Sequence, residues 1–551
     1  VTVEHENLGG FTRPPLLATA RRAVRLVLRG DLTSFVRRTS RFLQRSINRE
    51  SPPSYSAWRD QHVVLSPRDR QVVETWTQGQ SGDFCQVVDL QDLIGWTPRS
   101  HSPSLTLVVD NSVLHDGAVM AFTLAAEQEP DAVVFYADHE VIDNDGTPVS
   151  ANLKPGWNSE MALGCDYAGP ALAIRNGHLD TILEAGVPSS SHDLLLRATE
   201  GLGANQIKHL PYVLSSTSRI RARADTHAVS RATGSEPEKI STDGRSGFCR
   251  IYWPLPDPPP TVSIVIPTKD RGHLLKRCAE GLLQRTSYSK IELIIVDHAS
   301  KQRSARRFID GLAQSGQATV VSFDEDFNFS RMVNLGVAAS RGELVCLLNN
   351  DTEVLEAGWL TELTRQALRP SVGVAGGLLL FPDGTIQHAG IHPGLGGFMG
   401  HGHKYRAHKD PGYYGRLTVT HEVAAVTGAC MALRRSVWDQ VGGMDENLPV
   451  AFNDVDLCLR VRERGLSVVL NPHAVVRHHE SISRGTDDDP SKSARLAAEH
   501  RRMTERWGDL LDIDPAYHPD LSRDASGFSL AQTPSTTPPW RQPIYDAATE
   551  A

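Results

Sequence analysis

The stretch ELVCLLNNDTEV (343–354) decides how the rest of the chain is read. Leu344 to Leu348 form a short apolar run with turn signals on both sides, the pattern of a strand buried on both faces in the middle of a parallel sheet. Asn349, Asn350, Asp351 and Thr352 stop it abruptly and set a carboxylate just past its end. Open α/β sheets bind ligands along that carboxyl edge. Asp351 is there an oxygen donor suited to Mg2+ or Mn2+, ions that also bridge substrate phosphates. Asn and Asp are equally favoured in turns, so these four positions also suit a plain strand end.

The segments on either side repeat the pattern. TVSIVIPTKDR (261–271) is an apolar strand with Pro267, Lys269 and Asp270 at its end, followed by a helix near 274–284. IELIIVDHAS (291–300) is another apolar run, closing on Asp297 and Ser300. A helix, a strand over 318–323 and a helix around 334–339 lead back to the opening stretch. Alternation at this spacing predicts a doubly wound parallel sheet with three polar clusters, at Asp270, Asp297 and Asp351, on one edge. Asn334 suits either a base contact or a helix cap, and Lys269 and Arg331 either phosphate contacts or solvated charges.

A weaker copy of the same grammar lies upstream, with a strand over 105–109, a helix near 116–127, a strand over 132–136 and a turn at 143–146. VVDNSVLHDG (108–117) parallels LNNDTEVLEAG with Asp110 opposite Asp351, and HDLLLRATE (192–200) parallels VDLCLRVRE (455–463). The copy has Ser191 opposite Asp454 and Thr217 and Ser218 opposite His478 and His479. It also lacks a counterpart of 261–342, so it is expected to be inert. Asp138 and Glu140 in YADHEVID suit a carboxylate cluster, but a solvated turn is the preferred reading. The expected organisation is an N-terminal helical arm over 1–50, a degenerate α/β repeat over 51–220, a polar linker over 221–258, a catalytic domain over 259–510 and a C-terminal tail over 511–551.

The arm carries ten arginines against four acids, with Leu16, Leu17, Ala20, Val24, Val27 and Leu28 on one helical face. Such a helix suits an anionic membrane surface or packing on its own protein. The whole chain, 551 residues with a net charge of −8, offers no global attraction to nucleic acid, and 40% hydrophobic content is ordinary for a globular protein. Its seven scattered cysteines, without a CxxC, point to a reducing compartment and against structural zinc. No apolar run reaches the length of a membrane span. A cytoplasmic location follows, peripheral on the inner face of the plasma membrane if the arm engages it.

IVIPTKDR, IIVDHAS, NLGVAASRGELVCLLNNDTEV, VTGACMALRRSVWDQVGGMDE, FNDVDLCLRVRERG and HHESISRG, in that order, resemble family 2 glycosyltransferases of the GT-A fold, of the bacterial O-antigen and rhamnan type. The likeness covers about 259–530, and the first repeat resembles the truncated companion domain of such enzymes. It implies a Rossmann-like, doubly wound mixed sheet and inverting transfer of a sugar from a nucleotide-diphosphate donor, dTDP-rhamnose or a UDP-sugar, to a cell-surface polysaccharide or lipid-linked glycan. It further implies that Pro267, Lys269, Asp270, Asp297, Ser300, Asn334 and Asn350 bind the nucleotide and that Asp454 is the base.

The family's DxD is here NND, leaving Asp351 as its one carboxylate, so His478 or His479 is expected to complete the site for Mg2+ or Mn2+. Asp454 also fits a helix N-terminus, but the capping role is expected of Asn453 or Asp456. The stretch HAGIHPGLGGFMGHGH, with His388, His392, His401 and His403, resembles the acceptor-side loop; its spacings fit no standard zinc site, and a glycine-rich lid is expected. SISRG (481–485) is expected to close over the donor. Two other classes fit the sequence less fully: a non-catalytic glycan- or nucleotide-sugar-binding scaffold, if NND binds no metal, and a nucleotidyltransferase, disfavoured because no Gly-rich phosphate loop follows the first strand.

Overall fold

The computed structural model describes residues 52–542 apart from 80–84, 97–103, 219–222, 235–236, 243–245, 480–489, 512 and 525–526. The arm over 1–50 and the SISRG loop therefore lie outside the described residues.

The second half is built on one twisted sheet. Its strands run in the order Thr319–Ser322, Ile291–Asp297, Val262–Thr268, Leu344–Leu348, Cys430–Arg434, Val372–Leu380, Ser467–His478 and Thr352–Val354. The first four are mutually parallel, as the apolar runs predict. Cys430–Arg434 runs antiparallel to both neighbours, and the last strand antiparallel to Ser467–His478. The sheet is thus mixed, as the family resemblance implies; periodicity alone cannot distinguish a buried antiparallel strand from a parallel one.

Alternation along each strand feeds two cores. Ile264 and Ile266 face the helices Gly272–Arg285 and Trp359–Ala367, packing with Leu275, Leu282, Trp359 and Leu363. Val265 and Leu347 face the other layer, where Met332 and Val333 of helix Phe329–Ala338 and Val455 and Leu459 of helix Asn453–Glu463 close over them. With both faces covered, only the strand ends remain for chemistry. Truncating a fully buried residue such as Leu347 to Ala would cost about 2–5 kcal/mol.

The first half repeats this frame. Its strand order is Cys85–Asp89, Leu105–Val109, Ala171–Arg175, Val134–Ile142, Ile207–Thr217 and Val113–Leu114, with Pro148–Asn152 beside Val134–Ile142. Every pairing keeps the direction of its counterpart in the second half. Cys85–Asp89, in a stretch without clear periodicity, occupies the place of Val262–Thr268. What the first half lacks among its described residues is a counterpart of Ile291–Asp297 and Thr319–Ser322, the two outer parallel strands.

Two boundaries need correction. The stretch 221–258 is not an extended linker: it contains a helix, Thr226–Thr233, and a hairpin, Lys239–Thr242 with Cys249–Tyr252. Val229, Phe248 and Cys249 are buried in the first core, and Trp253 lies under the Arg369 guanidinium at 4.0 Å. Its polar residues face outward, which is why composition alone suggests a linker. The C-terminal segment, too, is packed rather than a tail: Tyr517, Leu521, Phe528 and Trp540 are buried, and Arg541 pairs with Asp69 at 2.8 Å. All seven cysteines are free thiols. Among the described residues no helix is long and apolar enough to cross a membrane.

Candidate active site

The three polar clusters meet at the carboxyl edge of the parallel strands. Thr268, Asp297 and Ser322 are neighbours in register, and His298 N–H donates to Thr268 O at 2.8 Å. Asn350 Nδ2 donates to Thr268 Oγ1 at 2.8 Å, joining the opening stretch to the same edge. Asp297 accepts from Ser300 Oγ at 2.5 Å, and Ser300 Oγ in turn accepts the Asp270 N–H at 2.7 Å. Asp270 Oδ1 accepts the N–H groups of Lys301 and Gln302 at 2.6 and 2.7 Å, ahead of helix Arg303–Gln314. Those bonds hold its carboxyl below the usual range. Asp270 therefore ties two loops together, while exposed Lys269 lies 3.5 Å from His298 Nδ1. Asp270, Arg271 and Ala299 all have positive φ, a conformation costly for non-glycine residues and concentrated at this edge.

Asp351 is 3% exposed, and its Oδ1 lies 3.0 Å from His478 Nε2. Thr352 pairs with His478 in the sheet, which brings the Asp351 and His478 side chains together across 127 residues of chain. Side chains alternate along a strand, so His479 points the other way, to Glu353 Oε2 at 2.9 Å and Arg277 Nη1 at 3.1 Å. Of the two imidazoles it is that of His478 that lies against the Asp351 carboxylate, whereas His479 meets Asp351 through its main-chain N–H on Asp351 O at 2.9 Å. A carboxylate oxygen and an imidazole nitrogen this close form a donor set that suits Mn2+ or Mg2+.

Asp454 sits half-buried at the start of helix Asn453–Glu463. Its Oδ2 accepts the Gly428 N–H at 2.9 Å, and one residue on Ala429 O accepts the Asn349 N–H at 3.1 Å. The segment 427–429 thus spans from Asp454 to the Asp351 turn, and both carboxyl groups belong to one edge. Phe452, with φ of 62°, turns the chain into the helix. Glu499 Oε1 braces that turn by accepting from Val450 and Ala451 at 2.7 and 3.0 Å. Asp456 does not cap the helix: fully buried, it accepts from Arg460 Nε at 2.8 Å and Trp507 Nε1 at 3.0 Å. Nor does Asn453 make a side-chain cap.

Three other expectations change. Asn334 lies in mid-helix with Nδ2 on Met444 O and Glu446 Oε1, both at 3.0 Å, and Oδ1 accepting from Met444 N–H at 2.9 Å. Its amide is thus engaged in pinning the 444–446 loop, neither capping the helix nor turned to a base. The histidine-rich stretch is folded in rather than free as a lid: His388, His392 and His403 are buried, with His392 Nδ1 2.7 Å from Asp514 Oδ2 and His403 Nε2 accepting the Tyr413 N–H at 3.0 Å. Burial, then the neighbouring His401, holds His388 well below the ordinary histidine range.

Asp138 and Glu140 lie in the middle of strand Val134–Ile142, both fully buried, instead of in a solvated turn. Asp138 lies 2.8 Å from Nε2 of both His209 and His518, and these three side chains are close enough to hold an ion. His518 Nδ1, however, accepts the Asp520 N–H at 2.9 Å, so Nε2 carries the proton and donates to the carboxylate. The arrangement is that of an internal hydrogen-bonded clasp. Sequence reasoning also missed Gln387, buried against His478, and Asn349, whose Nδ2 is 3.2 Å from His478 Nε2. Gln387 stands in no recognisable motif, and Asn349, though the first residue of NND, carries no sign of its contact with His478 until the strands are paired.

The molecule is thus of the open α/β class, in which ligands bind outside the carboxyl ends of the strands, where these carboxylates and the imidazole lie. Residues 263–442, within the second half, match the family model described as glycosyl transferase family 2. The chain is 36% identical over 450 residues, 78% of its length and 49% of the relative's, to the uncharacterized protein y4gI of Sinorhizobium fredii. It is 32% identical over 437 residues, 76% of its length and 34% of the relative's, to the O-antigen biosynthesis protein RfbC of Myxococcus xanthus. A shorter match, 32% over 24% of this chain and 44% of the relative, joins it to an N-acetylglucosaminyl-diphospho-decaprenol L-rhamnosyltransferase of Mycobacterium tuberculosis. The chain therefore spans about half the length of the first relative and about a third of the second.

Proposed function

We propose that the chain is an inverting glycosyltransferase that moves a sugar from a nucleotide-diphosphate donor, dTDP-rhamnose or a UDP-sugar, to a growing cell-surface polysaccharide or lipid-linked glycan. The supporting observation is the family match together with the Asp351–His478 pair and Asp454 on one edge. Transfer creates an oxocarbenium-like centre and a departing diphosphate. Asp351 and His478 would hold a divalent cation, which would supply charge neutralisation for the leaving diphosphate. Asp297 and the Thr268 to Asp270 turn line the nucleoside side of the edge. Asp454, held by the Gly428 N–H on Oδ2 and the Val455 N–H on Oδ1, both at 2.9 Å, takes the proton of the acceptor hydroxyl as the hydroxyl oxygen attacks the anomeric carbon from the face opposite the diphosphate. One such displacement inverts the anomeric configuration.

The test is release of nucleoside diphosphate from a panel of donor sugars with acceptor and Mn2+. Asp454→Asn should lower turnover by about 10²–10⁴-fold with donor binding retained. Equal, negligible turnover of wild type and variant on every donor would leave a binding protein instead.

A further inference from the structure

We infer that Gln387 is a positioning residue that fixes the tautomer of His478 and so directs that ring's free electron pair at the cation. The inference rests on the proposed metal site and adds a residue to it. His478 Nδ1 lies 2.7 Å from Gln387 Oε1, in a pair that is buried on both sides. The other end of the same amide faces the main-chain oxygen of His478, with Nε2 at 3.5 Å from it. This orientation places the carbonyl oxygen against the ring and the NH2 group against the carbonyl. Turned over, the amide would set oxygen against oxygen.

A carboxamide oxygen can only accept, so the Nδ1 nitrogen of His478 carries the hydrogen. In the neutral ring Nε2 is then the acceptor. Asn349 Nδ2 at 3.2 Å agrees, since it brings a donor to that nitrogen. Asp351 Oδ1 at 3.0 Å is the remaining neighbour of Nε2, and it too is an acceptor. A cation between them would take the Nε2 electron pair that the Asn349 NH2 group meets here, and would join it to the Asp351 carboxylate. The arrangement follows the general rule that a metal-ligating histidine donates its far ring N–H to a fixed acceptor, and removing such an acceptor lowers metal affinity about 10–100-fold.

Gln387 reaches this place because its strand, Ile386–His388, is stitched to the end of Val372–Leu380, which runs parallel to Ser467–His478. Leu379 pairs with His388 and Leu380 with Ile386, so Gln387 is the extra residue at a bulge between them, and on its other side Leu380 pairs with Arg477, next to His478. A single turn of chain thereby supplies an acceptor that sequence inspection does not assign.

The experiment measures Mn2+ affinity by calorimetry and by the Mn2+ electron paramagnetic resonance signal, in the full chain, with wild type, Gln387→Met, Gln387→Glu, His478→Ala and Asp351→Ala. Gln387→Met removes the acceptor at similar volume and should weaken Mn2+ binding about 10–100-fold. Gln387→Glu keeps an acceptor for Nδ1 while losing the amide donor, and should bind Mn2+ at least as tightly as wild type. A structural role for the amide would weaken both variants alike, which would overturn the inference. So would wild-type affinity in Gln387→Met alongside loss in His478→Ala and Asp351→Ala. Wild-type affinity in those last two variants would instead remove the metal site itself. Nitrogen-15 labelling of the histidine rings supplies an independent readout. The Nδ1-protonated pattern for His478 is expected in wild type and in Gln387→Glu, and the opposite pattern in wild type overturns the inference whatever the folding of Gln387→Met.

Discussion

At the helix start where the second half carries Asp454, the first half carries Ser191, and the two helices can be aligned by an ion pair they share. Arg460 donates to Asp456 at 2.8 Å and Arg197 to Asp193 at 3.0 Å, each four residues apart. Gly428 N–H donates to Asp454 at 2.9 Å; its counterpart Gly169 N–H donates at 3.1 Å to Asp166, a residue of its own loop. Ser191 Oγ donates to the same Asp166. A carboxylate thus survives at this point of the first half, but it is buried and fully engaged with its own backbone and a serine. At the other pole, Thr217, which the sequence sets opposite His478, donates its hydroxyl to Asn111 O at 3.0 Å. One frame serves twice; under the proposed function one copy's polar edge is open to a ligand, and the other's is closed by internal bonds.

The widest separation between the halves is expected from Asp351→Ala. Removing the one carboxylate of NND should abolish Mn2+-dependent binding of UDP or dTDP in calorimetry and lower turnover by at least about 10²-fold, since Lewis-acid stabilisation supplies several kcal/mol and each 1.4 kcal/mol is tenfold. Unchanged metal-dependent binding would remove the distinction between an open and a closed edge.

A change in the first half should instead appear as stability. Glu140 accepts from Tyr55 Oη at 2.7 Å, Arg59 Nε at 2.6 Å and Ser216 Oγ at 2.8 Å, tying helix Tyr55–His62 across the sheet. Burial alone would raise its carboxyl; the bonds from His115, Arg59, Tyr55 and Ser216 outweigh burial and hold it below the ordinary range. A carboxyl whose folded value is depressed contributes stability above its unfolded value of 4.5, and that contribution is lost as pH falls through the folded value. Glu140→Gln should therefore lower stability at neutral pH by about 1.5–3 kcal/mol and flatten the acid limb of the stability profile. Its turnover at a temperature well below unfolding should match wild type.

The strands of the second half and the convergence of three polar clusters are legible because each apolar run ends on a carboxylate, as in Leu348 before NND and Val296 before Asp297. The antiparallel course of Cys430–Arg434 is not, since a strand buried on both faces has the same composition in either direction. The choice of His478 over His479 needs the pairing with Thr352, because adjacent residues differ only in the face they present. Asp138 and Glu140 mislead for a related reason: charged residues in YADHEVID read as solvated until partners more than 60 residues away, His209 and Ser216, are brought beside them. Asp166 and Gln387 leave no mark at all, each being a lone polar residue whose meaning comes from a neighbour in another strand or helix.

The smallest effect is expected where the sequence suggests the strongest parallel. Sequence alignment of the two copies sets Asp110 opposite Asp351, yet the strand ends contradict that register. Val109 pairs with Ala171 as Leu348 pairs with Cys430, and Asp110 N–H donates to Pro170 O at 2.9 Å as Asn349 N–H donates to Ala429 O at 3.1 Å. Asp110 is thus the counterpart of Asn349, and Ser112, third after the strand, stands where Asp351 does. The Asp110 carboxylate accepts from Asn111 Nδ2 at 2.7 Å, a bond inside the turn. Asp110→Ala should leave turnover and Mn2+ affinity within about twofold of wild type, with at most about 1 kcal/mol of stability lost for the local bond. A tenfold fall in turnover would show that the closed edge of the first half reaches the chemistry of the second, and the division of labour between the copies would have to be redrawn.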